Sequence, residues 1–407
     1  MATPLEDRPF ENYRAAISSP DYFFGRQSLL ESIKRSPFRV RILLGGRRCG
    51  KTSALNAICW SLLNRTQANA QAHALPVLIN LQQEQPNSLD NLRYLLIARL
   101  RETLEIYRQD NLSSFRRNYK RFLRQIPGGS ISIPMFSLDV TNPDVDRALI
   151  HEDFRQDLLK LLKKLQKFEF DGVCFLFDGA EFIVQQDWAN DAWSYFRALK
   201  DTDTAIKPFL GLIFSGYRNL RDYQQRVGSP LLNIAELDWL SPLEDTDATM
   251  LIAKRCQDEN ILLPEVEVNL VSEWSGRHPY LIQQVLNNFL NSYRKGQSCP
   301  PETLLFQQIR QHDRDFSSWW DASRSAYGFS EIEQSIYLAL SQCKESSIKS
   351  LAQQTRLSLG NVADTLEVLV GTGVVLPMGN DKYKVGAKLF EEWVLQEKTP
   401  TQKLLEE

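Results

Sequence analysis

The sequence lacks the marks of a secreted, zinc-binding or membrane-spanning protein. It has six cysteines without a CxxC pair, and four scattered histidines, in 407 residues. We therefore expect neither a disulfide framework nor a zinc site, and the cysteines are typical of reduced core thiols in a cytoplasmic protein. The opening residues, MATPLEDRPFENY, have no basic stretch followed by an apolar one, and no apolar run approaches the roughly 20 residues that span a bilayer. Neither a signal peptide nor a membrane partner is expected.

An excess of charge of either sign is also missing. The 48 Lys and Arg residues nearly balance the 50 Asp and Glu residues, which gives a net charge of −2. That balance argues against attraction of the whole protein to nucleic acid, although it leaves a local basic patch open. There is no internal repeat, low-complexity run, G-x-S-x-G motif or coiled-coil heptad. The composition is that of an ordinary globular protein, long enough for two or three domains.

What the sequence does contain is a phosphate-binding loop between a strand and a helix. The stretch FRVRILLGGRRCGKTSALNAICW, residues 38–60, begins as a buried strand and ends with apolar residues at helical spacing. Between them lies the pattern G-x-x-x-x-G-K followed by Ser or Thr. Its glycines let successive backbone N–H groups face a phosphate, and the helix N-terminus adds the positive end of its dipole. We expect ATP to contact Gly45, Gly46, Cys49, Gly50, Lys51, Thr52 and Ser53.

An ATPase also needs a carboxylate for its metal ion at the end of a buried strand. In GVCFLFDGAEFI, residues 172–183, an unbroken apolar run ends at Asp178. We expect Lys51 to reach the β- and γ-phosphates, and Thr52 and Asp178 to hold Mg²⁺. Many such ATPases have a Glu directly after the Asp, where this sequence has Gly179. The next carboxylate, Glu181, is either the catalytic base or a structural residue beside a slow site.

Another buried strand is predicted in PFLGLIFSGYRNL, residues 208–220. Ser215 and Arg218 follow its apolar run, where a polar sensor of the γ-phosphate is expected. Between the loop and Asp178 the chain has a surplus segment of about residues 108–150. Its first part, residues 108–124, is basic at helical spacing. That face is either a contact for nucleic acid or an acidic protein, or a solvated helix face, and the second interpretation is favoured.

Further stretches resemble the AAA+ ATPases, among them the STAND signal-transduction ATPases, the archaeal-type ATPases and the origin-recognition ATPases. They are FFGRQSLLESI before the loop, LSPLEDTDATMLIAKR, WSGRHPYLIQQVL, and a tail from about Phe329 patterned as a winged helix. The resemblance implies that Gly25 and Arg26 border the adenine and ribose, that Pro279 caps the base, and that Arg218 is the sensor arginine. It also implies that ATP and Mg²⁺ bind between an α/β core and a helical lid.

The resemblance divides the chain into three predicted domains. Residues 1–236 form a P-loop α/β core with a parallel sheet and the insertion at about 108–150, residues 237–325 a helical lid, and residues 326–398 a winged helix. The second helix of the winged helix, SLGNVADTLEVLV, has two acids and no basic residue. Nearby positive charges are Lys349, Arg356, Lys382, Lys384 and Lys388. We therefore favour a protein-contacting winged helix over one that reads DNA.

The leading hypothesis is an ATP-binding and ATP-hydrolysing switch of the AAA+/STAND type. Its nucleotide state would change self-assembly into a homo-oligomer or activate a separate effector protein, as in signalling or anti-phage defence. That biological setting follows from the resemblance alone. Two alternatives stay open: a DNA-associated ATPase that loads or remodels nucleic acid, and a scaffold that binds nucleotide without hydrolysing it.

Overall fold

The fold was determined from a computed structural model, which describes residues 16–17, 19–64, 72–109, 151–217, 220, 230–296, 300–321 and 328–398. The described residues divide into two compact units. The sheet unit comprises the described parts of Ala15–Leu44 and Lys51–Asp238, and the C-terminal unit comprises Gly45–Gly50 with those of Trp239–Glu407. The bounds of the three domains that were inferred from the sequence remain a prediction.

The sheet unit is built on a five-stranded sheet. Its strands lie in the order β2-β3-β4-β1-β5, and the pairs β2–β3, β3–β4 and β1–β4 are parallel. The central strands are buried and mostly apolar because both faces of such a sheet are covered. This confirms the strands predicted before the loop, before Asp178 and before Ser215. The strands are β1 (Val40–Leu44), β2 (Ala74–Asn80), β3 (Gly172–Asp178), β4 (Leu210–Gly216) and β5 (Ala235–Trp239).

Seven helices are described in the sheet unit. The second begins at Lys51, as the sequence predicts, and buries apolar residues on most of its circumference. The surplus segment of about residues 108–150 lies outside the described residues beyond Gln109. The helices are α1 (Gln27–Arg35), α2 (Lys51–Leu63), α3 (Leu81–Glu84), α4 (Leu89–Gln109), α5 (His151–Gln166), α6 (Glu181–Val184) and α7 (Ala189–Asp201).

A cluster of aromatic rings fixes the carboxyl ends of β3 and β4. The rings of Phe177 and Phe214 are stacked with centroids 4.7 Å apart, and Phe196 and Trp193 of α7 meet the Phe214 ring edge-on. Aromatic pairs in these geometries stabilise a core beyond their buried area. Because the next residue on each strand is polar, the stacked pair sets the positions of Asp178 and Ser215.

The C-terminal unit is mainly helical and ends in a winged helix. Three helices, α13 to α15, are followed by an antiparallel hairpin in a small sheet of order β6-β8-β7. The helices are α8 (Asp245–Asp258), α9 (Glu265–Ser275), α10 (Pro279–Arg294), α11 (Pro301–Gln311), α12 (Asp313–Trp320), α13 (Glu331–Ser341), α14 (Ile348–Thr355), α15 (Leu359–Gly371) and α16 (Lys388–Lys398). The strands are β6 (Ser346–Ser347), β7 (Val375–Gly379) and β8 (Lys382–Val385).

The hairpin confirms the predicted wing, but its turn lies one residue later than the sequence indicates. The sequence MGNDK, residues 378–382, predicts the turn at Gly379 and Asn380. The two turn residues are Asn380 and Asp381, with φ angles of 51° and 53°. Asn and Asp accept this left-handed backbone, which the tight two-residue hairpin turn requires. Gly379, with a φ of 81°, instead ends β7 at a register shift.

The aromatic pair Trp319 and Trp320 packs within the C-terminal unit. The Trp319 ring lies 5.7 Å from that of Phe390, and the Trp320 ring lies 5.8 Å from Phe329 and 6.1 Å from Tyr337. Together they join α12 to the winged helix. Across the described ranges, no helix combines the length and the apolar character needed to cross a membrane.

One half-buried lysine, Lys200 of α7, contacts the backbone at the amino-terminal end of the sheet. The Lys200 Nζ donates to the carbonyl oxygens of Phe38, Lys207 and Leu210, at 2.6, 2.8 and 2.6 Å. These carbonyls lie just before or at the start of β1 and β4. Burial lowers the pKa of Lys200 to about 8. The ammonium therefore supplies donors to three carbonyls while its own charge is partly desolvated.

We expect Lys200→Met to lower the free energy of unfolding by about 2 kcal/mol, because three carbonyl oxygens lose their donor. Between pH 8 and the ordinary lysine value of 10.5, the folded state holds fewer protons than the unfolded one, so the wild type should gain stability as the pH rises. Urea unfolding followed by circular dichroism measures both effects. Lys163→Met, at an exposed position on α5, is the matched control. Equal stability of the two variants would contradict the role of Lys200.

Candidate functional site

The phosphate loop consists of the six residues between β1 and α2, Gly45–Gly50. Its backbone turns through left-handed residues, with φ angles of 60° at Arg48 and 91° at Gly50. A Cβ at Gly45 would lie 2.4 Å from the Cys49 Sγ, and one at Gly46 would lie 3.0 Å from the Thr372 carbonyl oxygen. A side chain at Gly45 or Gly46 would crowd a neighbouring atom, whereas Gly50 has a left-handed backbone that favours glycine. Since Cys49 is buried, its side chain fills the inside of the curl.

The start of α2 is joined to the end of β3 by a short polar contact. The Thr52 hydroxyl donates to Asp178 Oδ2 at 2.7 Å, and the Ser215 hydroxyl donates to Asp178 Oδ1 at 3.2 Å. Strand order explains the arrangement, because β4 lies between β1 and β3 and brings Ser215 beside Asp178. We call Thr52, Asp178 and Ser215 the polar triad. The structure thus brings together the two residues predicted to hold a metal ion.

The polar triad has the chemistry of a magnesium site. Hydroxyl and carboxylate oxygens are the hard ligands that Mg²⁺ prefers, and Mg²⁺ usually takes one or two protein carboxylates and completes its shell with water and phosphate oxygens. Among the described residues there is no group of three or more His, Cys, Asp or Glu side chains that could hold a metal by themselves. The residues present therefore fit Mg²⁺ bound together with a phosphate.

The structure gives a physical reason for the glycine after Asp178. Gly179 has a φ of 71°, and a Cβ there would lie 2.8 Å from Cγ of Gln82. An L residue at this position would be strained and would also press on Gln82. A glutamate directly after Asp178 would therefore be strained on this backbone. Gln82, which lies beside Gly179 just after β2, was not predicted from the sequence, because only the pairing of β2 with β3 brings it there.

Glu181, the next carboxylate, lies at the same end of the sheet. It is the first residue of α6 and is 6% exposed. One of its carboxylate oxygens is 3.1 Å from the position of a Cβ on Gly216, the last residue of β4. The Ala180 N–H donates to the Ser215 carbonyl oxygen at 2.8 Å, which ties the segment to β4. Glu181 is thus held close to Ser215. Both predicted interpretations of Glu181 stay open on this geometry.

The remaining predicted phosphate contacts include Lys51, Ser53 and the N-terminus of α2, and their role toward a phosphate stays a prediction. Lys51 opens α2 and is half-buried. The Ser53 hydroxyl accepts from the Ile17 N–H at 3.0 Å, and the Asn56 amide donates to the Ile17 carbonyl oxygen at 2.9 Å. The Ser53 side chain therefore anchors a preceding segment. The first backbone N–H groups of a helix lack intrahelical acceptors and suit an anion.

The remaining predicted site residues lie on both sides of the loop in the sequence. Gly25 and Arg26 are consecutive left-handed residues before α1, with φ angles of 78° and 65°. Pro279 is the first residue of α10, after the N-cap His278. His278 is buried, with its ring 5.4 Å from that of Trp319. The roles of Gly25, Arg26 and Pro279 toward the base and ribose stay predictions. Arg218 lies outside the described residues, and its sensor role is a prediction as well.

The chain was compared with known families and structures. No protein-family model matches the sequence, and no curated protein matches it. A Walker-type ATPase of Pyrococcus abyssi is similar in structure, with a TM-score of 0.59 and 15% identity over 93% of this chain and 98% of that one. The Aeropyrum pernix ORC2 protein, solved as ADPNP–ADP complexes, has a TM-score of 0.47 and 9% identity over 93% and 97%. Cdc6p of Pyrobaculum aerophilum has a TM-score of 0.40 and 12% identity over 93% and 96%.

Of these three, the Pyrococcus ATPase has a TM-score above 0.5, and the assignment of the fold rests on it and on the topology. Both show the predicted fold class, an α/β core with a parallel sheet and a phosphate loop. The chain has the fold of a Walker-type ATPase, with a winged helix at the end of its C-terminal unit.

Proposed function

We propose that the protein binds and hydrolyses ATP, and that its nucleotide state operates a conformational switch. The observation that carries the ATPase part is the polar triad. It joins a threonine at the start of α2 to an aspartate at the end of β3, and a serine on the intervening strand supports that aspartate. A phosphate loop with its lysine immediately precedes the threonine. These groups meet the requirements of a site for a nucleoside triphosphate and Mg²⁺.

Each group has a distinct chemical role in this proposal. Bound Mg²⁺–ATP supplies the phosphoanhydride bond that water cleaves. The loop amides and the Lys51 ammonium hold and neutralise phosphate oxygens, while Thr52 and Asp178 provide oxygen ligands for the metal. Ser215 holds the Asp178 carboxylate in place through its hydroxyl. Because these groups are fixed before the substrate arrives, little reorganisation accompanies the reaction.

We assign the catalytic base to Glu181. The left-handed backbone at Gly179 disfavours a carboxylate directly after Asp178. Glu181 is the next acid in the chain, and it is buried at the carboxyl ends of β3 and β4, where the attacking water must approach. A base needs to lie within hydrogen-bond reach of that water, directly or through one other water. The alternative, a structural Glu181 beside a slow site, is an outcome of the test below.

The switch rests on contacts that the loop makes within the C-terminal unit. The Cα of Gly46 approaches the winged helix so closely that a Cβ would lie 3.0 Å from the carbonyl oxygen of Thr372, the C-cap of α15. A change in the loop on binding a phosphate would therefore be felt at the end of α15. A ligand shifts such an equilibrium when it contacts the two states differently, as a γ-phosphate distinguishes ATP from ADP. The output would be homo-oligomerisation or activation of an effector protein, and the resemblance to STAND ATPases suggests signalling or anti-phage defence.

Substitution of the phosphate and metal ligands tests the ATPase activity. We expect Lys51→Ala and Asp178→Asn each to lower the rate of phosphate release at least about 100-fold, since each removes a charge that stabilises the transition state. A coupled phosphate assay with purified protein and Mg²⁺–ATP measures this. Asp191→Asn, an exposed acid on α7, should keep the wild-type rate. Turnover that survives both substitutions would show that the measured activity belongs to another site or to a contaminant.

Glu181→Gln separates the two interpretations of this residue. If Glu181 is the base, kcat should fall about 100- to 1,000-fold, while the Kd for Mg²⁺–ATP changes by less than about threefold. Single-turnover hydrolysis and equilibrium binding of a fluorescent ATP analogue measure the two quantities. Asp187→Asn, at an exposed position just after α6, controls for the loss of one negative charge. A kcat close to wild type would make Glu181 a structural residue.

The winged helix supports a second candidate, a DNA-associated ATPase that loads or remodels nucleic acid. Winged helices contact DNA through a helix and positive side chains. Here α15 exposes Asp364 and Glu367. Lys382 is paired with Glu345, and Lys388 lies 3.4 Å from Glu273. These charges favour the switch. The basic segment at residues 108–124, which could serve DNA, lies outside the described residues apart from the helical backbone of 108 and 109.

Measurement of assembly with and without DNA discriminates between the two candidates. We expect light scattering after size exclusion to give different masses or partner binding with ATP and with ADP, because the two nucleotides contact the loop differently. Duplex DNA should leave both mass and ATP turnover unchanged. Lys51→Ala should abolish the nucleotide dependence. DNA binding that falls steeply as salt rises, together with DNA-stimulated turnover, would favour the second candidate. Identical assembly and partner binding in every nucleotide state would contradict the switch.

A further inference from the structure

Two arginines at variable positions of the phosphate loop point to α12 rather than to the phosphate side. Arg48 lies 3.3 Å from the Asp315 Oδ1, and its guanidinium stands over the Tyr280 ring, 4.4 Å from the centroid. The Tyr280 hydroxyl donates to the other carboxylate oxygen of Asp315 at 2.8 Å. Arg48, Tyr280 and Asp315 therefore form a closed group, which we call the arginine clasp. All three belong to the C-terminal unit.

A second contact joins the phosphate loop to α12 beside the arginine clasp. The Arg47 guanidinium donates to the Ser318 hydroxyl, and that hydroxyl donates to the Asp315 carbonyl oxygen at 2.8 Å. Asp315 and Ser318 are three residues apart on α12, so they lie on the same face of the helix. Both loop arginines therefore contact the same face of α12, within a single turn of the helix.

The same helix is fixed to the winged helix on its other side. The Trp393 indole N–H of α16 donates to the Asp313 Oδ1 at 3.0 Å. The Phe316 ring packs 5.1 Å from that of Phe390 and 5.9 Å from that of Trp393. Since α12 is one rigid element of two turns, a displacement at Asp315 is transmitted to these rings.

The clasp also acts on a residue whose backbone needs support. Arg48 has a φ of 60°, in the left-handed region that residues with a side chain rarely occupy. Such a residue persists only where its surroundings hold it. Left-handed residues in a loop also help turn successive N–H groups to one side, which is how a backbone binds an anion. Holding the Arg48 side chain therefore holds the backbone that faces the phosphate.

We infer that Asp315 is a positioning residue for the phosphate loop, which it acts on through Arg48 with Tyr280 as its support. The clasp is partly shielded from solvent, with side-chain exposures of 27% for Arg48 and 18% for Asp315. An ion pair that is shielded and hydrogen-bonded is stronger than an exposed one. Through α12, the geometry of the loop depends on the winged helix. The consequence for nucleotide affinity rests on the proposed function, whereas the effect on the loop itself does not.

The test uses full-length protein and two readouts. Hydrogen exchange of the peptide that contains residues 45–51, measured without nucleotide, reports on the loop alone. Equilibrium binding of a fluorescent ATP analogue with Mg²⁺ reports on the consequence. In Asp315→Asn the amide still accepts from Tyr280 but no longer pairs with Arg48. We expect faster exchange of the loop peptide and about a tenfold higher Kd, the size typical of one shielded ion pair.

Matched variants separate positioning from a general loss of stability. Asp313→Asn makes the same change of charge on the same helix and keeps an acceptor for Trp393, so exchange and Kd should remain at wild-type values. Arg48→Gly removes the guanidinium, yet glycine takes the left-handed backbone without strain. Asp315→Asn should therefore have no further effect on either readout when it is added to Arg48→Gly.

The outcomes distinguish this inference from the proposed function. Loop exchange that is unchanged in Asp315→Asn would overturn the inference, as would an effect of equal size in the Arg48→Gly background. A third outcome is that Asp315→Asn speeds exchange in the loop alone while the wild-type protein binds no ATP analogue. That result would support positioning and contradict the proposed function. Equal effects of Asp313→Asn and Asp315→Asn would show that any loss of charge on α12 suffices, which also overturns the inference.

Discussion

The hydrogen bond from Thr52 to Asp178 is the contact on which the candidate site depends. It joins the first turn of α2 to the last residue of β3, two elements that the chain separates by 126 positions. The bond forms because β4 lies between β1 and β3, and because the stacked rings of Phe177 and Phe214 fix the strand ends on which Asp178 and Ser215 stand. The half-buried Asp178 carboxylate accepts hydrogen bonds from two hydroxyls. The sheet order therefore sets the chemistry of the site as much as the loop motif does.

A single backbone conformation explains how this site departs from the pattern with two adjacent acids. With Gly179 in the left-handed region and Gln82 against it, a carboxylate directly after Asp178 would be strained and crowded. The chain instead turns into α6 and buries Glu181 beside the end of β4. In the proposed mechanism, Glu181 supplies the second acidic group. A carboxylate that approaches from the side of β4 reaches the site from a different direction, which is compatible with hydrolysis but requires its own arrangement of water.

Features with a strong local pattern could be predicted from the sequence, and those that depend on distant pairing could not. The loop, the start of α2, the strand before Asp178 and the wing follow from periodicity, glycine placement and turn residues within short windows. The wing turn was placed one residue early because Gly379 and Asn380 both accept a left-handed backbone, and pairing in the hairpin decides between them. The clasp of Arg48 with Asp315 spans 267 positions and involves residues common on any surface, so no local signal marks it. The close approach of Gly46 to Thr372 could not be predicted either, because it also joins residues far apart in the sequence.

The phosphate loop combines glycines that allow a tight turn with two arginines that contact α12. Gly45, Gly46 and Gly50 allow the tight curl and the close approach of neighbouring groups. Arg47 and Arg48 carry long polar side chains away from that curl to α12. A loop made entirely of small residues would curl equally well but would have no hold on α12. Coupling between two binding sites is reciprocal. In the proposed switch, a phosphate that favours one loop geometry also favours the matching state of α12 and the winged helix. A partner that moves the winged helix then alters the affinity for phosphate to the same degree. In the proposed switch, the arginines would therefore connect the winged helix to the candidate nucleotide site.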